Sequence, residues 1–351
     1  MTTKQQGKNI SDIPFFFIIG RPRSGTTLVQ SILDAHPNVI IPGECPMILR
    51  LYLRYGHLKE LNDNTIETLT EAIKELPKIE NWPINFENVK QDLQNIKGKF
   101  DFQEIIKTIY LNFQSAFPKN EIFIFGDKNP PYSKYPKLLL KIFPDAKFLH
   151  IVRDHRDHYL SVKKAGLLNS LEPIIIYLWK RSVIRIDKLS RRYPKQFLNL
   201  NYEDFVTAPE LHLKNICSFL NIPFEKEMMN FHKSKEKSLE QYKEKKLEKA
   251  HTNLYSPIDA SNTGKWKKEL SETEVIIADY IAGKTATKAG YKRKYHNISL
   301  KLKLNILLRL FIIKLHSFFL LIIKIFPAGI RKKINQKIPE LNSFYLKFFK
   351  S

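Results

Sequence analysis

The sequence has little cysteine and no obvious group of metal ligands. Only two of its 351 residues are cysteine, Cys45 and Cys217, and they form neither a C-x-x-C pair nor a cluster with histidine. These absences argue against a disulfide scaffold and against a structural zinc site, so we expect a reducing, cytoplasmic setting. We find no internal repeat, and the 43% hydrophobic content is enough for a full core.

Long apolar runs are also missing near the start of the chain. Residues 1–12 are polar, contain no signal-peptide core and are expected to form a flexible leader. The first apolar run, Ile13–Ile19, is broken by Pro14 and is too short for a membrane anchor. It is typical of a buried strand.

Acidic residues are scarce relative to basic ones. The chain has 58 Lys and Arg against 35 Asp and Glu, a formal net charge of +23. Such an excess favours an anionic ligand, an anionic membrane surface or nucleic acid, without choosing among them.

A glycine-rich loop follows the first strand in the stretch "FFFIIGRPRSGTTL". Gly20, Gly25 and Thr27 fit the phosphate-loop frame G-x-x-x-x-G-K-[ST], but Thr26 occupies the lysine position. Backbone N–H groups and the helix dipole at such a turn bind an anion, and the Arg23 guanidinium can add donors. The alternative is an ordinary strand-to-helix turn that happens to be rich in glycine.

The missing lysine narrows the range of ligands that the loop can bind. Thr26 can donate a hydrogen bond but cannot neutralise a transferring γ-phosphoryl group. The loop therefore points away from ATP and toward a nucleotide donor with a single 5′-phosphate.

A second motif, "FLHIVRDHRDHYLSV", places two further phosphate ligands. Arg153 ends a predicted strand, and Ser161 follows eight residues later in the next helix. Ligands of open α/β sheets bind outside the carboxyl ends of the strands, so both side chains can reach one further phosphate. The alternative is a solvated salt bridge from Arg153 to Asp154 or Asp157.

The alternation of strands and helices predicts an α/β fold, a three-layer α/β/α parallel sheet of the P-loop type. Residues 58–119 are polar with Glu/Lys spacing and no strong strand signal, and we expect a helical insert over the sheet. We assign residues 13–297 to one catalytic domain and 298–351 to an added helical tail.

Together the motifs resemble the sulfotransferase superfamily, whose members take a sulfuryl group from 3′-phosphoadenosine-5′-phosphosulfate. "PRSGTTL" is similar to that family's 5′-phosphosulfate loop, and "VRDHRDHYLS" to its 3′-phosphate site. The similarity extends to "FGDKNP", "NYEDF" and "SNTGKWKKEL", and so covers about residues 13–270. "DAHPNVIIPGE" is most similar to the tyrosylprotein-sulfotransferase-like and bacterial branch.

The resemblance implies a role for each donor-site residue and no metal. Cradling of the 5′-phosphosulfate is implied for Arg23, Ser24, Gly25, Thr26 and Thr27. Binding of the 3′-phosphate is implied for Arg153, Ser161, Lys265 and Ser261, and contact with the adenine edge for Tyr202. The loop "SNTGKW" departs from the Arg-Lys-Gly form of the cytosolic branch.

Two residues match the branch's catalytic positions. Glu44, after "HPNVIIPG", is implied as the general base, and Lys128, in "GDKNP", as the cation on the leaving phosphate oxygen. For Glu44 the alternatives are a surface carboxylate of a loop or a carboxylate that aids a helix N-terminus, and for Lys128 the alternative is a solvated lysine. Some sulfotransferases use a histidine base, so His36 and His155 are fallback candidates, although a structural histidine is the alternative for each.

The tail has a helical stripe of apolar residues within Ile298–Phe326. The stripe consists of Leu304, Leu307, Leu308, Phe311, Leu315, Phe318, Ile322, Ile325 and Phe326. Basic residues interrupt any membrane-spanning run: Lys301, Lys303, Arg309, Lys314 and Lys324. The pattern favours a basic amphipathic helix in a membrane interface; the alternatives are a helix packed on the domain or a dimer contact.

The resemblance thus implies a sulfotransferase acting on an acceptor hydroxyl of a lipid, sterol, glycan, protein tyrosine or small alcohol. An anionic membrane surface is a further expected partner, and nucleic acid is not. The rivals are a P-loop nucleotide kinase and a non-catalytic, basic membrane-binding protein. Thr26 and the lack of a clear magnesium-holding Asp argue against the kinase.

Overall fold

The structure is a computed structural model and describes residues 9–166, 172–234 and 256–323. These residues form two compact units. The first contains the chain up to Val152 and Arg185–Ser261, and the second contains Arg153–Ile184 and the chain from Asn262. The predicted boundaries of the leader, catalytic domain and tail stay predictions, and residues 1–8 and 324–351 of the leader and tail lie outside the described residues.

The first unit is built on a parallel sheet. The strands in chain order are β1 (Phe15–Gly20), β2 (Val39–Ile40), β3 (Glu60–Leu61), β4 (Gly98–Lys99), β5 (Ile124–Lys128), β6 (Lys147–Val152) and β7 (Phe197–Asn201). Five of them form one sheet in the order β2-β5-β1-β6-β7, with every neighbouring pair parallel. All their carboxyl ends therefore lie at one edge.

Helices of the first unit flank this sheet. In chain order the helices of the described residues are α1 (Thr26–Asp34), α2 (Met47–Tyr55), α3 (Asp63–Lys74), α4 (Phe86–Asn95), α5 (Phe102–Leu111), α6 (Pro136–Ile142), α7 (His155–Lys164), α8 (Glu172–Arg192), α9 (Tyr202–Thr207), α10 (Pro209–Leu220), α11 (Trp266–Glu269), α12 (Glu272–Ala282), α13 (Lys284–Lys288) and α14 (Leu300–Ile323). Among them, none combines the length and apolarity needed to cross a bilayer.

The apolar run of β1 supplies core side chains on both faces of the sheet. Phe15, Phe17 and Ile19 are buried in a core shared with α2–α5, whereas Phe16 and Ile18 are buried in a second core shared with α1, α9 and α10. Successive side chains of a strand point to opposite faces, so a strand covered on both sides reads as a continuous apolar run. The predicted three-layer α/β fold is confirmed.

The predicted helical insert contains α3, α4 and α5. Asn62, Asn85 and Asp101 cap these helices, because each side chain accepts a hydrogen bond from a backbone N–H of the first turn. The sequence did not predict the short antiparallel ladder between β3 and β4, which pairs Glu60 with Lys99. Two residues per strand are too few to leave an alternating pattern.

The second unit is organised around α7 and α12. Asp154 caps α7, and Ser271 with Glu274 forms a capping box that starts α12. The Tyr159 hydroxyl donates to Glu274 Oε1 at 2.7 Å. Of the predicted tail, the structure describes the helix as far as Ile323, and the predicted stripe residues Ile325 and Phe326 lie outside it.

Candidate active site

The loop between β1 and α1 has the shape required for close approach to an anion. A Cβ atom on Gly20 would lie 2.7 Å from the Ile151 carbonyl oxygen of β6. Gly25 has φ 89°, and a Cβ there would lie 2.3 Å from the Tyr202 ring. Arg23 also has a positive φ of 70°, which is uncommon outside glycine. Glycine is thus required at two points of the loop, and the arginine backbone is held in a strained conformation.

Two features of the loop fit a phosphate or sulfate group. The Ser24 hydroxyl is buried and has no hydrogen-bond partner among the described residues. Helix α1 begins immediately afterwards, its N-cap Gly25 provides no side-chain cap, and its first turn contains no acidic residue. A helix N-terminus attracts an anion, and a buried hydroxyl without a partner costs free energy until a ligand pairs with it. The residues present therefore fit the expected 5′-phosphosulfate.

Glu44 and Lys128 meet beside this loop. The Lys128 ammonium donates to Glu44 Oε1 at 2.6 Å and to the Thr27 hydroxyl at 3.1 Å. Lys128 ends β5 with its side chain 3% exposed, and Glu44 precedes α2 with its side chain 29% exposed. The solvated-lysine alternative is therefore wrong. The catalytic roles themselves stay predictions.

A second lysine shares the Glu44 carboxylate. Lys78 donates to Glu44 Oε2 at 2.9 Å from a more exposed position. Burial on its own raises the pKa of Glu44, but the two lysines outweigh it and lower the pKa from 4.5 to about 2. Glu44 is consequently ionised, with one oxygen bound to each cation. Sequence reasoning missed Lys78, which lies 34 residues away in the chain.

A buried polar network holds the segment that carries Glu44. The Asn129 amide donates to Asp127 Oδ1 at 2.5 Å and to the Cys45 carbonyl at 2.9 Å, and the Tyr110 hydroxyl donates to Asp127 Oδ2 at 2.5 Å. Burial raises the pKa of Asp127 to about 7, although both hydrogen bonds lower it. Asp127 and Asn129 flank Lys128 in the "GDKNP" motif, which was the one signal that could have indicated them.

The expected 3′-phosphate residues Arg153, Ser161 and Lys265 belong to the second unit. Arg153 directly precedes the Asp154 cap of α7; its Nη2 donates to the Asn262 carbonyl at 2.6 Å and its carbonyl accepts from Trp179 Nε1 at 2.9 Å. Asp154, one partner in the alternative salt bridge, accepts a hydrogen bond from Arg156 Nη2 at 2.7 Å. Ser161 lies in α7, as predicted.

The loop that carries Lys265 is held by Asp157 of α7. Its carboxylate accepts the Gly264 N–H at 2.6 Å and the Trp266 N–H at 2.9 Å. The Arg156 guanidinium lies over the Trp266 ring, 3.7 Å from the centroid. Lys265 donates to Asn262 Oδ1 at 2.7 Å. The second unit therefore gathers Arg153 and Lys265 around one loop with a fixed backbone.

Two weaker candidates lie in the first unit. The Tyr202 ring packs against Gly25, so it borders the loop as expected, while its contact with adenine stays a prediction. Ser261 hydrogen-bonds through its hydroxyl and its N–H to Asp259.

The two fallback histidines are both buried. His36 is fully buried, with Nε2 2.9 Å from the Pro223 carbonyl and Nδ1 accepting the Asn38 N–H at 3.1 Å. His155 is also buried, and its Nε2 lies 2.9 Å from Asp279 Oδ1. Both ring nitrogens of His36 are occupied, which leaves no free base on that side chain.

Comparison with known proteins points to the same family as the motifs. A family model described as "Sulfotransferase family" matches residues 14–226. Protein-tyrosine sulfotransferase A of Caenorhabditis elegans is 26% identical over 285 residues, which span 77% of this chain and 65% of that protein. Protein-tyrosine sulfotransferase 1 of Danio rerio is 26% identical over 296 residues, spanning 80% and 76%.

A solved structure also aligns with the chain. The sulfotransferase domain from the Synechococcus PCC 7002 olefin synthase has a TM-score of 0.49 and 21% identity, and the alignment covers 82% of this chain and 98% of that one. The resemblance inferred from the motifs, and with it the enzyme class, is confirmed by the family match.

Proposed function

This chain belongs to the Sulfotransferase family, and we propose that it transfers a sulfuryl group from 3′-phosphoadenosine-5′-phosphosulfate to the phenolic hydroxyl of a protein tyrosine. The observation that carries the proposal is the Glu44–Lys128 pair. The Lys128 Nζ and Glu44 Oε1 atoms lie 2.6 Å apart, and Lys128 also contacts Thr27 of the phosphate loop. One residue can accept a proton and the other can stabilise negative charge, which are the two demands of the transfer.

Bound donor supplies an activated sulfur atom joined to a 5′-phosphate through one bridging oxygen. The acceptor oxygen forms a bond to sulfur while the bond from sulfur to the bridging oxygen breaks. Glu44 takes the hydroxyl proton, and Lys128 stabilises the electron pair left on the bridging oxygen of the bisphosphate product. The sulfate ester, adenosine 3′,5′-bisphosphate and the proton held by Glu44 together account for every atom and charge.

The low pKa of Glu44 has a role in this scheme. Its two lysine partners bring that pKa to about 2 and keep the carboxylate free of protons before the acceptor binds. Such a carboxylate is a weak base while Lys128 is bound to it. When the anionic donor draws the Lys128 charge toward the bridging oxygen, the interaction that does most to lower the pKa of Glu44 weakens, and that pKa rises. Donor binding thereby strengthens the base.

The acceptor proposal rests on the curated relatives. Several relatives are named protein-tyrosine sulfotransferases, including those of Caenorhabditis elegans and Danio rerio. A phenol is also more acidic than an aliphatic alcohol, so a carboxylate base suits it better. Lipid, sterol, glycan and small-alcohol acceptors are the competing outcomes. The cytoplasmic location expected from the sequence is likewise a proposal.

The test is a transfer assay with ³⁵S-labelled donor and purified full-length protein. A peptide containing tyrosine should become labelled, whereas the same peptide with phenylalanine in that position should not. Sterol, lipid and glycan extracts are assayed in parallel. If one of these extracts is labelled and the tyrosine peptide is not, the acceptor belongs to that class of compound. The proposal for the sulfuryl donor would still hold.

One variant and one binding measurement test the chemistry separately. Glu44→Gln should lower turnover by about a hundredfold or more, while affinity for adenosine 3′,5′-bisphosphate stays near that of the parent protein. Calorimetry should show that bisphosphate binds more tightly than ATP without magnesium. Tighter ATP binding that depends on magnesium would favour the kinase, and an unchanged rate in Glu44→Gln would remove Glu44 from the role of base.

A further inference from the structure

Helix α14 exposes apolar side chains along one side. Exposed fractions of these side chains range from 48% to 71%; the residues are Leu300, Leu304, Leu307, Leu308, Phe311 and Leu315. At about 100° per residue they fall within an arc of about 100° on the helix. We call this surface the apolar arc. Large apolar side chains rarely cluster on an exposed surface unless that surface binds something.

The opposite side of α14 faces protein. Ile306 is 1% exposed and lies on the side of the helix turned away from the apolar arc. Leu302 and Leu310, which neighbour Ile306 on the helix surface, are half-buried. The helix therefore has a packed side already, and the apolar arc is a second apolar surface that the packing leaves uncovered.

Positive charge surrounds the apolar arc. Lys301 and Lys303 are exposed and lie on its two flanks by helical position. The sequence contains no acidic residue between Asp279 and Glu340, whereas it contains the basic run Lys292, Arg293 and Lys294 just before the helix. Lysines beside an apolar surface can extend their charged ends toward anions while the stems remain in apolar contact.

We propose that the apolar arc of α14 binds an anionic membrane surface, with the helix lying in the plane of the interface. Apolar side chains enter the boundary between headgroups and acyl chains, and the flanking lysines contact anionic headgroups. Two copies of the arc facing each other would instead bring like charges together, which disfavours a dimer contact.

The inference goes beyond the proposed transfer reaction and is tested without it. Full-length protein is sedimented with vesicles of phosphatidylcholine containing about a third phosphatidylserine, and with phosphatidylcholine alone. The triple variant Leu304→Ser, Leu308→Ser, Phe311→Ser should bind the anionic vesicles at least tenfold more weakly than the parent protein. Vesicles without phosphatidylserine should bind the parent protein more weakly than anionic ones do.

A matched control comes from exposed leucines elsewhere. Leu53 and Leu211 are 78% and 60% exposed and lie in other helices, so the double variant Leu53→Ser, Leu211→Ser removes similar apolar surface. It should bind vesicles like the parent protein. Thermal unfolding by circular dichroism, with midpoints equal to that of the parent, shows that both variants are folded.

Three results would overturn the proposal. In the first, the full-length parent protein does not sediment with anionic vesicles. This result counts against the proposal even if a protein truncated after Ile323 does sediment with them. In the second, the folded triple variant binds as the parent does. In the third, analytical ultracentrifugation shows a parent dimer that the triple variant dissociates without any change in vesicle binding, which would assign the arc to self-association.

Discussion

The ion pair between Glu44 and Lys128 makes a quantitative prediction about stability. We consider three variants, Glu44→Gln, Lys128→Met and the double variant. Glutamine keeps the size of the side chain and removes its charge, and methionine keeps most of the lysine stem. Lys128 is almost fully buried, so loss of its partner leaves a positive charge with little access to water.

The pKa shift gives the magnitude. Lowering the pKa of Glu44 from 4.5 to about 2 corresponds to about 3 kcal/mol of preference for the ionised form in the folded state. Since the folded pKa is the lower one, this stabilisation is fully present above about pH 5 and is lost as the pH falls toward 2. Each single variant should lower the unfolding free energy by about 2–3 kcal/mol at pH 7. Lys78 retains part of the interaction with Glu44.

Urea unfolding at pH 7 and pH 4 measures these differences. The double variant should be less destabilised than the sum of the singles, by about 1–3 kcal/mol, because both charges leave together. The loss of unfolding free energy caused by Glu44→Gln should be smaller at pH 4 than at pH 7, by about 1 kcal/mol at most. Additive effects within about 0.5 kcal/mol, or an effect that grows as the pH falls, would show that the pair is not coupled as the geometry requires.

Three further substitutions test the parts of the site one at a time. Gly25→Ala forces a Cβ into the Tyr202 ring at a positive φ, so bisphosphate affinity measured by calorimetry should fall at least tenfold; near-parental affinity would contradict the loop geometry. Arg153→Ala should remove most of the preference for bisphosphate over AMP, about 1.5–3 kcal/mol, and a preserved preference would place the 3′-phosphate elsewhere. Asn129→Ala releases the Cys45 carbonyl, so kcat should fall by about tenfold to a hundredfold while bisphosphate affinity is kept; a loss of affinity with unchanged kcat would exclude a positioning role.

Much of the sheet could be predicted because its strands are covered on both faces. The continuous apolar run of β1 follows from burial in two cores, and β5 and β6 are likewise buried along nearly their whole length. Each is followed by a turn and then a helix, which signals parallel pairing without any knowledge of contacts. The α7 helix after Arg153 was predictable for the same reason.

The partners of the site residues could not be predicted in this way. Tyr110 lies in α5 and Asp127 in β5, and only the packing of the insert on the sheet brings their oxygens to 2.5 Å. Lys78 reaches Glu44 from the turn after α3. The sequence around this lysine has no feature that distinguishes it from a solvated surface lysine. A chain with 58 basic residues offers too many lysines for such a partner to be chosen from sequence.

The lysine missing from the phosphate loop is replaced by one from the neighbouring strand. β5 pairs with β1 in parallel, with Lys128 in register with Ile18, so Lys128 ends at the same edge of the sheet from which the loop leaves. Its ammonium reaches the hydroxyl of Thr27, directly after the position where a nucleotide kinase carries its lysine. A loop lysine would be free to follow a γ-phosphate. Lys128 is instead fixed by a buried strand and already bound to Glu44, so the cation and the base that we propose for the transfer are held together in the protein itself.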